Sequence, residues 1–314
     1  MTYEERYMAN LIFKAKILEK DAYEFQNFFT KIMSKYDPDF TPIKPQGRIG
    51  DRKNDGYNPK TGVYYQVYAP ERIDSKDAIE KIEKDIEGLY EYWNSKCPIK
   101  EYCFVMNDKY KGVYPEIESK ILEIENEYNI DAKLILAKDI ENMFMELDFE
   151  KMIEIIGMIT INDISKISFA DLNSIIEYII NMPYNKEIEN NILPAEMENK
   201  ICFNNLNPQI ANILNVHSIY IGQLEKYFSN KGNFEREKIQ HILTQIYEEA
   251  KIQVSDELED ANSIRFFYIR DKILPEENSI TINNAVFVLM AFYFESCDIF
   301  ENPNNKENLE NVNA

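Results

Sequence analysis

The sequence predicts an α/β domain with a mixed central sheet, followed by a mainly α-helical domain. Up to residue 157, short β-branched and aromatic segments alternate with longer segments of helical periodicity, an order typical of helices packed around a sheet. After this point strand-like segments almost vanish. The length of 314 residues is also long for one domain. We therefore place a first domain at 1–157, a helical domain at 158–301 and a disordered, Asn- and Glu-rich tail at 302–314.

The elements of the first domain follow from periodicity and from turn residues. Apolar residues at helical spacing predict helix over the first 35 residues, and Pro38 ends this run. A short extended segment at 40–46 leads into a turn region with several glycines. Residues 62–68 are β-branched and aromatic and predict a strand, and Asp74 or Ser75 is expected to cap the next helix. The remaining elements are strand 102–106, helix 114–128, strand 133–136 and helix 139–147.

The second domain shows five helical patterns, at 169–182, 207–229, 234–254, 263–273 and 282–294. The last of these is apolar nearly all round, so other helices must enclose it. Three acids follow it at a spacing of three residues: Glu295, Asp298 and Glu301. They fit either a solvated last turn or a docking edge for a basic partner.

The composition excludes several classes of protein. The net charge of −20 argues against a protein that coats itself in nucleic acid. No window holds the ~18 uninterrupted apolar residues of a membrane span, and the N-terminus lacks a signal-peptide pattern, so we expect a cytoplasmic protein with no membrane contact. The four cysteines show no paired spacing and there are only two histidines, which argues against structural zinc.

Acidic and amide side chains surround a glycine-rich turn at 47–56, which precedes the strand at 62–68. Asp55 stands directly before Gly56, and Gln66 lies near the end of the strand. Oxygen ligands of this kind suit a hard cation, Mg²⁺ or Mn²⁺, which activates water for phosphodiester hydrolysis. The Val67 carbonyl and the Glu24 carboxylate are expected to complete the metal shell. Asp51 fits equally a second metal ligand or a cap of the turn.

The same turn carries a local excess of positive charge. Five basic residues stand between positions 44 and 60, against only two acids. A basic rim around a metal site suits the phosphates of DNA, although a solvated loop would also explain the pattern. The predicted DNA-binding residues are Lys44, Arg48, Arg52, Lys53 and Lys60.

The turn and strand resemble the Mrr-like branch of the PD-(D/E)xK, or restriction-endonuclease, fold. That branch has a glycine-rich turn ending in Asp-Gly and then a strand with Gln-x-Lys, which match Asp55-Gly56 and Gln66-Val67-Tyr68. The resemblance implies that Asp55 and Gln66 bind the metal, but Tyr68 replaces the lysine. A lysine from the following helix, Lys81 or else Lys84, is the expected substitute. In the other interpretation the site is inactive and only binds DNA.

The C-terminal sequence resembles the C-terminal domain of ABC-three-component effectors. The resemblance rests on residues 285–301 (AVFVLMAFYFESCDIFE), together with ICFNNL at 201–206 and LEKYF at 224–228. It implies an effector of a Lamassu-type anti-phage or anti-plasmid system, with a small middle subunit and an SMC-like ABC ATPase as partners. We expect a DNA endonuclease that these partners restrain and that acts after release as a homo-oligomer. The alternative is a catalytically silent adaptor that links DNA ends to the ATPase.

Overall fold

The computed structural model describes residues 2–44, 52–157, 168–183, 196–231, 233–276, 279–296 and 298–304. Most of the predicted tail, 305–314, lies outside these residues. The chain divides into two compact units. The first, Ile17–Gly157, is called the sheet unit here. The second, the helical unit, combines Met1–Lys16 with Met158–Ala314.

The sheet unit is built around a mixed sheet, as the sequence predicts. Its strands are β1 (Thr41–Pro42), β2 (Gly56–Asn58), β3 (Val63–Tyr68), β4 (Glu101–Met106) and β5 (Asp131–Ile135), and they neighbour one another in chain order. β1, β2 and β3 pair antiparallel, whereas β3, β4 and β5 pair parallel. The helices of this part of the chain are α1 (Tyr3–Glu19), α2 (Ala22–Tyr36), α3 (Ser75–Trp93), α4 (Pro115–Tyr128), α5 (Ala137–Met145) and α6 (Phe149–Ile156).

The core of the sheet unit lies between one face of the sheet and helices α3 and α4. The apolar stripe of α3 includes Ala78, Ile82 and Ile86, and it packs with strand residues such as Tyr64 and Phe104. Each such side chain stabilises the unit by roughly 1.5–3 kcal/mol when fully buried. The Asp74 carboxylate accepts hydrogen bonds from the backbone N–H groups of the first turn of α3, which fixes where this helix begins. The predicted cap is thus confirmed.

Besides the first residues of α1, the described part of the helical unit contains seven helices and no strands. These helices are α7 (Phe169–Ile180), α8 (Met197–Phe203), α9 (Pro208–Ser218), α10 (Ile221–Lys231), α11 (Asn233–Gln253), α12 (Ala261–Ile273) and α13 (Ile280–Glu295). As its composition predicts, α13 is buried on almost every side. The ammonium of the buried Lys200 donates to the carbonyls of Phe294 (2.7 Å) and Ile299 (2.6 Å). It thereby satisfies carbonyls at the C-terminus of α13.

Of the three acids at the end of α13, Asp298 serves the interior of the helical unit, whereas the Glu301 side chain is exposed. Asp298 is buried and accepts a hydrogen bond from Gln240 (2.6 Å), and Thr244 donates to its backbone carbonyl (2.9 Å). Glu301 contacts Lys251 (3.2 Å). For Asp298, the expectation of a solvated turn or a free docking edge was therefore wrong. The helix ends inside the bundle, so the acid that follows it is enclosed.

The first 16 residues group with the helical unit, whereas the sequence had placed them with the sheet. The Tyr7 hydroxyl donates to the Asp260 carboxylate, and Lys16 forms an ion pair with Asp271 (3.0 Å). These partners are far away in the sequence, so no local pattern reveals them. In the described residues, no helix has the length and apolar content needed to span a membrane.

Candidate functional site

Asp55 lies directly before β2, beside the end of β3 that carries Gln66. The register sets Tyr57 against Tyr64, and these rings stack (5.2 Å between centroids) on the side of the sheet that faces α3. Asp55 precedes Tyr57 by two residues, and Gln66 follows Tyr64 by two. The register ends at the pair Gly56–Tyr65, so it does not set the face on which the Asp55 side chain lies. The backbone N–H of Asp55 donates to the Tyr65 carbonyl (3.1 Å), which holds Asp55 alongside β3.

The buried Asp55 carboxylate is fixed by two donors. The backbone N–H of Val67 donates to Oδ2 (2.7 Å), and the Gln26 side chain donates to Oδ1. A carboxylate oxygen has two lone pairs and can accept from more than one donor, so these two hydrogen bonds fix the orientation of Asp55. The Val67 group that reaches Asp55 is its amide, and the predicted role of its carbonyl stays a prediction.

Glu24 lies on a different side of α2 from Gln26, the residue that contacts Asp55. It is exposed in the first turn of α2, whereas Gln26 reaches Asp55. Two successive steps along a helix turn by about 200°, and Phe25 between them is buried. Glu24 and Gln26 therefore flank the buried stripe of α2 on opposite sides. The structure brings an amide from α2 to Asp55 and leaves the expected carboxylate at the surface.

Several buried polar atoms near Asp55 have no hydrogen-bond partner among the described residues. They are both side-chain polar atoms of Asn54, Oε1 of Gln66 and the hydroxyl of Tyr102. Burial raises the pKa of the Tyr102 hydroxyl well above its usual value, and the charges of Asp85 and Asp55 raise it further. One phenol thus lies within electrostatic range of both carboxylates. Each unsatisfied buried polar group costs about 1–3 kcal/mol of stability. A polar ligand that formed hydrogen bonds with these atoms would remove that cost.

Asp85, a residue that the sequence reasoning missed, lies beside this cluster. It is only 1% exposed and stands in the apolar stripe of α3. Lys81 pairs with its Oδ2 along the helix. Lys53 Nζ lies 2.8 Å from Oδ1, in an ion pair without the alignment of a hydrogen bond. The signal for Asp85 is a charged residue three positions after Ile82, where the stripe requires an apolar one.

The two predicted replacement lysines differ in position. Lys81 reaches the buried Asp85. Lys84 extends into solvent and pairs with the exposed Glu80 (3.3 Å). Of these two, Lys81 is therefore the one placed toward the polar cluster.

The basic rim is partly engaged within the sheet unit. Lys44 is exposed, the Arg52 guanidinium lies 4.9 Å from the ring centroid of Tyr92, and Lys60 forms an ion pair with Asp39 (2.7 Å). The hydrogen bond and charge of Asp39 raise the pKa of Lys60. The remaining predicted residues, Arg48 and Asp51, lie outside the described residues.

The candidate ligands are oxygen atoms of the type that binds a hard cation, but they are few in number. In the parts of the chain that the structure describes, no three His, Cys, Asp or Glu side chains are arranged to hold a metal. Asp55 would supply one carboxylate, and Gln66 Oε1, which has no partner among the described residues, would supply a second oxygen. Mg²⁺ needs only one or two carboxylates because it keeps several waters and binds substrate phosphates. The residues present therefore suit Mg²⁺ or Mn²⁺ bound together with substrate.

Comparison with known families identifies the helical region. Residues 170–301 match the C-terminal domain 10 of the ABC-three component (ABC-3C) systems. The helical region is therefore a domain of the ABC-three component type, and such a domain implies partner subunits. No curated protein and no solved structure matches the sequence.

Proposed function

We propose that the protein is a metal-dependent DNA endonuclease and the effector of its ABC-three component system. The observation that carries the proposal is the position of Asp55, which is held beside the end of β3 that carries Gln66, near buried polar atoms that have no partner among the described residues. The order α2-β1-β2-β3-α3-β4 and the mixed strand directions also agree with a restriction-endonuclease-like domain. In this proposal the sheet unit cleaves DNA and the helical unit binds partners.

The residues of the chain divide the work of phosphodiester hydrolysis. Mg²⁺ or Mn²⁺, when bound, would polarise the phosphate and lower the pKa of a water molecule. Asp55 and Gln66 would hold the cation, with the Val67 carbonyl as a third oxygen. Gln26 and the Val67 amide fix the orientation of Asp55, so no reorganisation is needed when substrate arrives. The exposed Lys44 would contact neighbouring phosphates.

Partner subunits would restrain this activity. The proposed partners are a small middle subunit and an SMC-like ABC ATPase of a Lamassu-type defence system, which would release the effector when invading DNA is sensed. Each chain carries one candidate site, so two chains are needed to cut both strands. The net charge of −20 weakens DNA binding by a single chain, and self-association would supply the missing affinity through paired sites.

The first prediction concerns metal-dependent cleavage. Purified full-length protein at high concentration is incubated with supercoiled plasmid and Mg²⁺ or Mn²⁺. Wild-type protein should convert the plasmid to nicked and linear forms, and EDTA should stop the reaction. Asp55→Ala and Gln66→Ala should lower the rate by about 10²-fold or more, because each removes a metal ligand. Asp131→Ala, at an exposed position of β5, should cleave like wild type. Equal cleavage by wild type and Asp55→Ala would overturn the assignment of Asp55.

A catalytically silent DNA-binding adaptor is the second candidate function. It is favoured by the exposed position of Glu24 and by the small number of carboxylates near Asp55 among the described residues. The same samples distinguish it in a gel-shift assay. An adaptor would bind linear DNA ends and leave plasmid intact with either metal, and its binding would not depend on Asp55.

A further inference from the structure

We infer that Lys53 replaces the lysine absent from β3, with Asp85 as its positioning residue. The inference rests on the proposed nuclease function. The ammonium of Lys53 would contact a non-bridging oxygen of the scissile phosphate, a place that Tyr68 on the strand cannot fill with charge. Lys53 belongs to the loop before β2, whereas the sequence suggested Lys81 or Lys84 of the following helix.

The backbone around Lys53 directs its side chain toward α3. Arg52 and Lys53 both have left-handed φ values, 58° and 61°, and two such residues in succession cost about 1 kcal/mol or more each. This conformation is held by contacts to one helix. Arg52 lies over Tyr92, and the stem of Lys53 lies against Gly88, where an added Cβ would approach Lys53 Cγ to 2.9 Å. Glycine at position 88 makes room for the lysine.

Asp85 sets the end point of the Lys53 side chain. Its carboxylate is 1% exposed, whereas the Lys53 side chain is 45% exposed. The Asp85 carboxylate is therefore shielded from solvent, whereas the Lys53 ammonium stays accessible to a DNA phosphate. Lys53 also stands two residues before Asp55, and the buried Asn54 separates them. The loop thus carries a cation and a metal ligand together into the neighbourhood of Tyr102.

Two lysines meet at the carboxylate of Asp85. Two ammonium groups, Lys53 and Lys81, share the single carboxylate of Asp85. Lys81 already offsets the charge of Asp85, so a phosphodiester would bring negative charge to the partly exposed ammonium of Lys53. Lys81 is bound along its own helix at a spacing of four residues, a local pair that holds Asp85 in place. Lys53 reaches the same carboxylate from another element.

The role assigned to Lys53 is electrostatic. In the reaction, a water oxygen bonds to phosphorus, the bond from phosphorus to one bridging oxygen breaks, and that oxygen takes up a proton. Negative charge grows on the non-bridging oxygens as the water adds. A fixed ammonium beside one of them stabilises that charge without giving or taking a proton.

The second prediction tests Lys53 in the full-length protein. Lys53→Met should lower plasmid cleavage by about 10²–10³-fold, and Lys53→Arg, which keeps the charge, should recover part of the loss. Asp85→Asn should also lower the rate, since it frees the lysine. Lys81→Met should cost less than about tenfold. The matched control is Lys138→Met, because Lys138 also pairs with a buried carboxylate, Glu141 (3.1 Å), but on α5. It should cleave at the wild-type rate.

Two further measurements separate chemistry from folding and binding. Thermal unfolding by circular dichroism should be similar for Lys53→Met, Lys53→Gln and wild type, because the side chain is partly exposed. DNA affinity in Ca²⁺ should fall less than about fivefold, so the loss appears in kcat rather than KM. Wild-type cleavage by both neutral variants, with Asp55→Ala inactive, would overturn the inference and leave the nuclease standing. A large loss of cleavage in Lys81→Met alone would show that Lys81, rather than Lys53, contacts the scissile phosphate. Absence of cleavage by wild type would overturn both proposals.

Discussion

Gly88 is a single residue whose missing side chain shapes the candidate site. Alanine is a better helix former than glycine by about 1 kcal/mol, so Gly88→Ala should leave α3 as stable as before or more so. Its Cβ would nevertheless approach Lys53 Cγ to 2.9 Å and push the lysine aside. As the third prediction, Gly88→Ala should lower plasmid cleavage about ten- to a hundredfold, without a lower melting temperature.

The matched control for this substitution is Gly222→Ala. Gly222 also lies in a helix, α10, and an added Cβ meets nothing within 4 Å. Both variants are measured by thermal unfolding and by plasmid cleavage. Gly222→Ala should cleave like wild type. Full cleavage by Gly88→Ala would contradict the idea that the stem of Lys53 must lie against this helix.

At the residue scale, sequence locates the parts of the candidate site that one hairpin brings together. Asp55 lies beside β3 because β2 and β3 are joined by a short turn, so turn and strand signals are sufficient to place it. Asp85 comes from the next helix, and its pairing with Lys53 depends on how that helix packs. The side of α2 that faces the sheet likewise decides between Glu24 and Gln26. Packing of this kind has no local signature, so the sequence predicts a metal ligand where the structure places an exposed acid.

At the scale of elements, two acids at helix ends have opposite pKa shifts and therefore opposite effects on the stability of the folded state. Burial raises the pKa of Asp298, and hydrogen bonds from Ser296 and Gln240 only partly offset it. Burial also acts to raise the pKa of Asp171, but hydrogen bonds from Ser168 and Thr281 outweigh it and lower the pKa. Asp298 therefore destabilises the folded state once ionised. Ionised Asp171 stabilises it.

The fourth prediction follows from these signs. Above the folded pKa, the cost of ionised Asp298 is fully present, and it disappears as pH falls below the unfolded value of about 3.9. Asp298→Asn should therefore raise the melting temperature most near pH 7.5. The stability from Asp171 is present above its unfolded pKa and is lost as pH falls through the folded pKa. Asp171→Asn should cost about 1 kcal/mol near neutral pH, since it weakens the cap of α7, and less near pH 3.5.

Thermal unfolding of both variants between pH 3.5 and 7.5 tests these opposite slopes in the full-length chain. Asparagine at 298 can still accept from Gln240, and the Ser296 hydroxyl can turn to accept from its amide. The change thus removes charge without removing partners. A shift of the same sign for both variants at pH 7.5 would contradict the argument.

Secondary structure is the part of the fold that periodicity predicts best. The strands β3 and β4 and the helices α3 and α13 lie where their apolar patterns place them, because burial of one face selects those patterns. β2 is different, since its three residues are too few to show alternation. Strand order is also beyond local pattern. The parallel pairing of β3 with β4 and of β4 with β5 depends on helices that cross between distant segments.

At the scale of the whole molecule, the helical unit is discontinuous in the chain. Its first segment, Met1–Lys16, is separated from the rest by the entire sheet unit. Met8, Leu11 and Ile12 of this segment are buried. Burial of three such side chains contributes several kcal/mol at roughly 1.5–3 kcal/mol each. That is a large fraction of the about 5–15 kcal/mol by which a folded domain is stable.

The fifth prediction is that residues 158–314 do not fold stably without residues 1–16. A fragment of 158–314 should melt at a lower temperature and less cooperatively than the helical unit in the full chain. Adding a peptide of residues 1–16 should restore a cooperative transition in proportion to peptide concentration, because binding to the folded state alone stabilises it. Circular dichroism and calorimetry measure both effects.

The matched control peptide carries Leu11→Asp, which places a charge at a buried position and should not restore the transition. A fragment that melts identically with either peptide, or with none, would show that the helical unit is complete from residue 158 onward. Restoration by the native peptide alone would show that the first 16 residues are part of the folded helical unit. Fusions or truncations at the first 16 residues would then disturb the ABC-three component domain before they disturb the sheet.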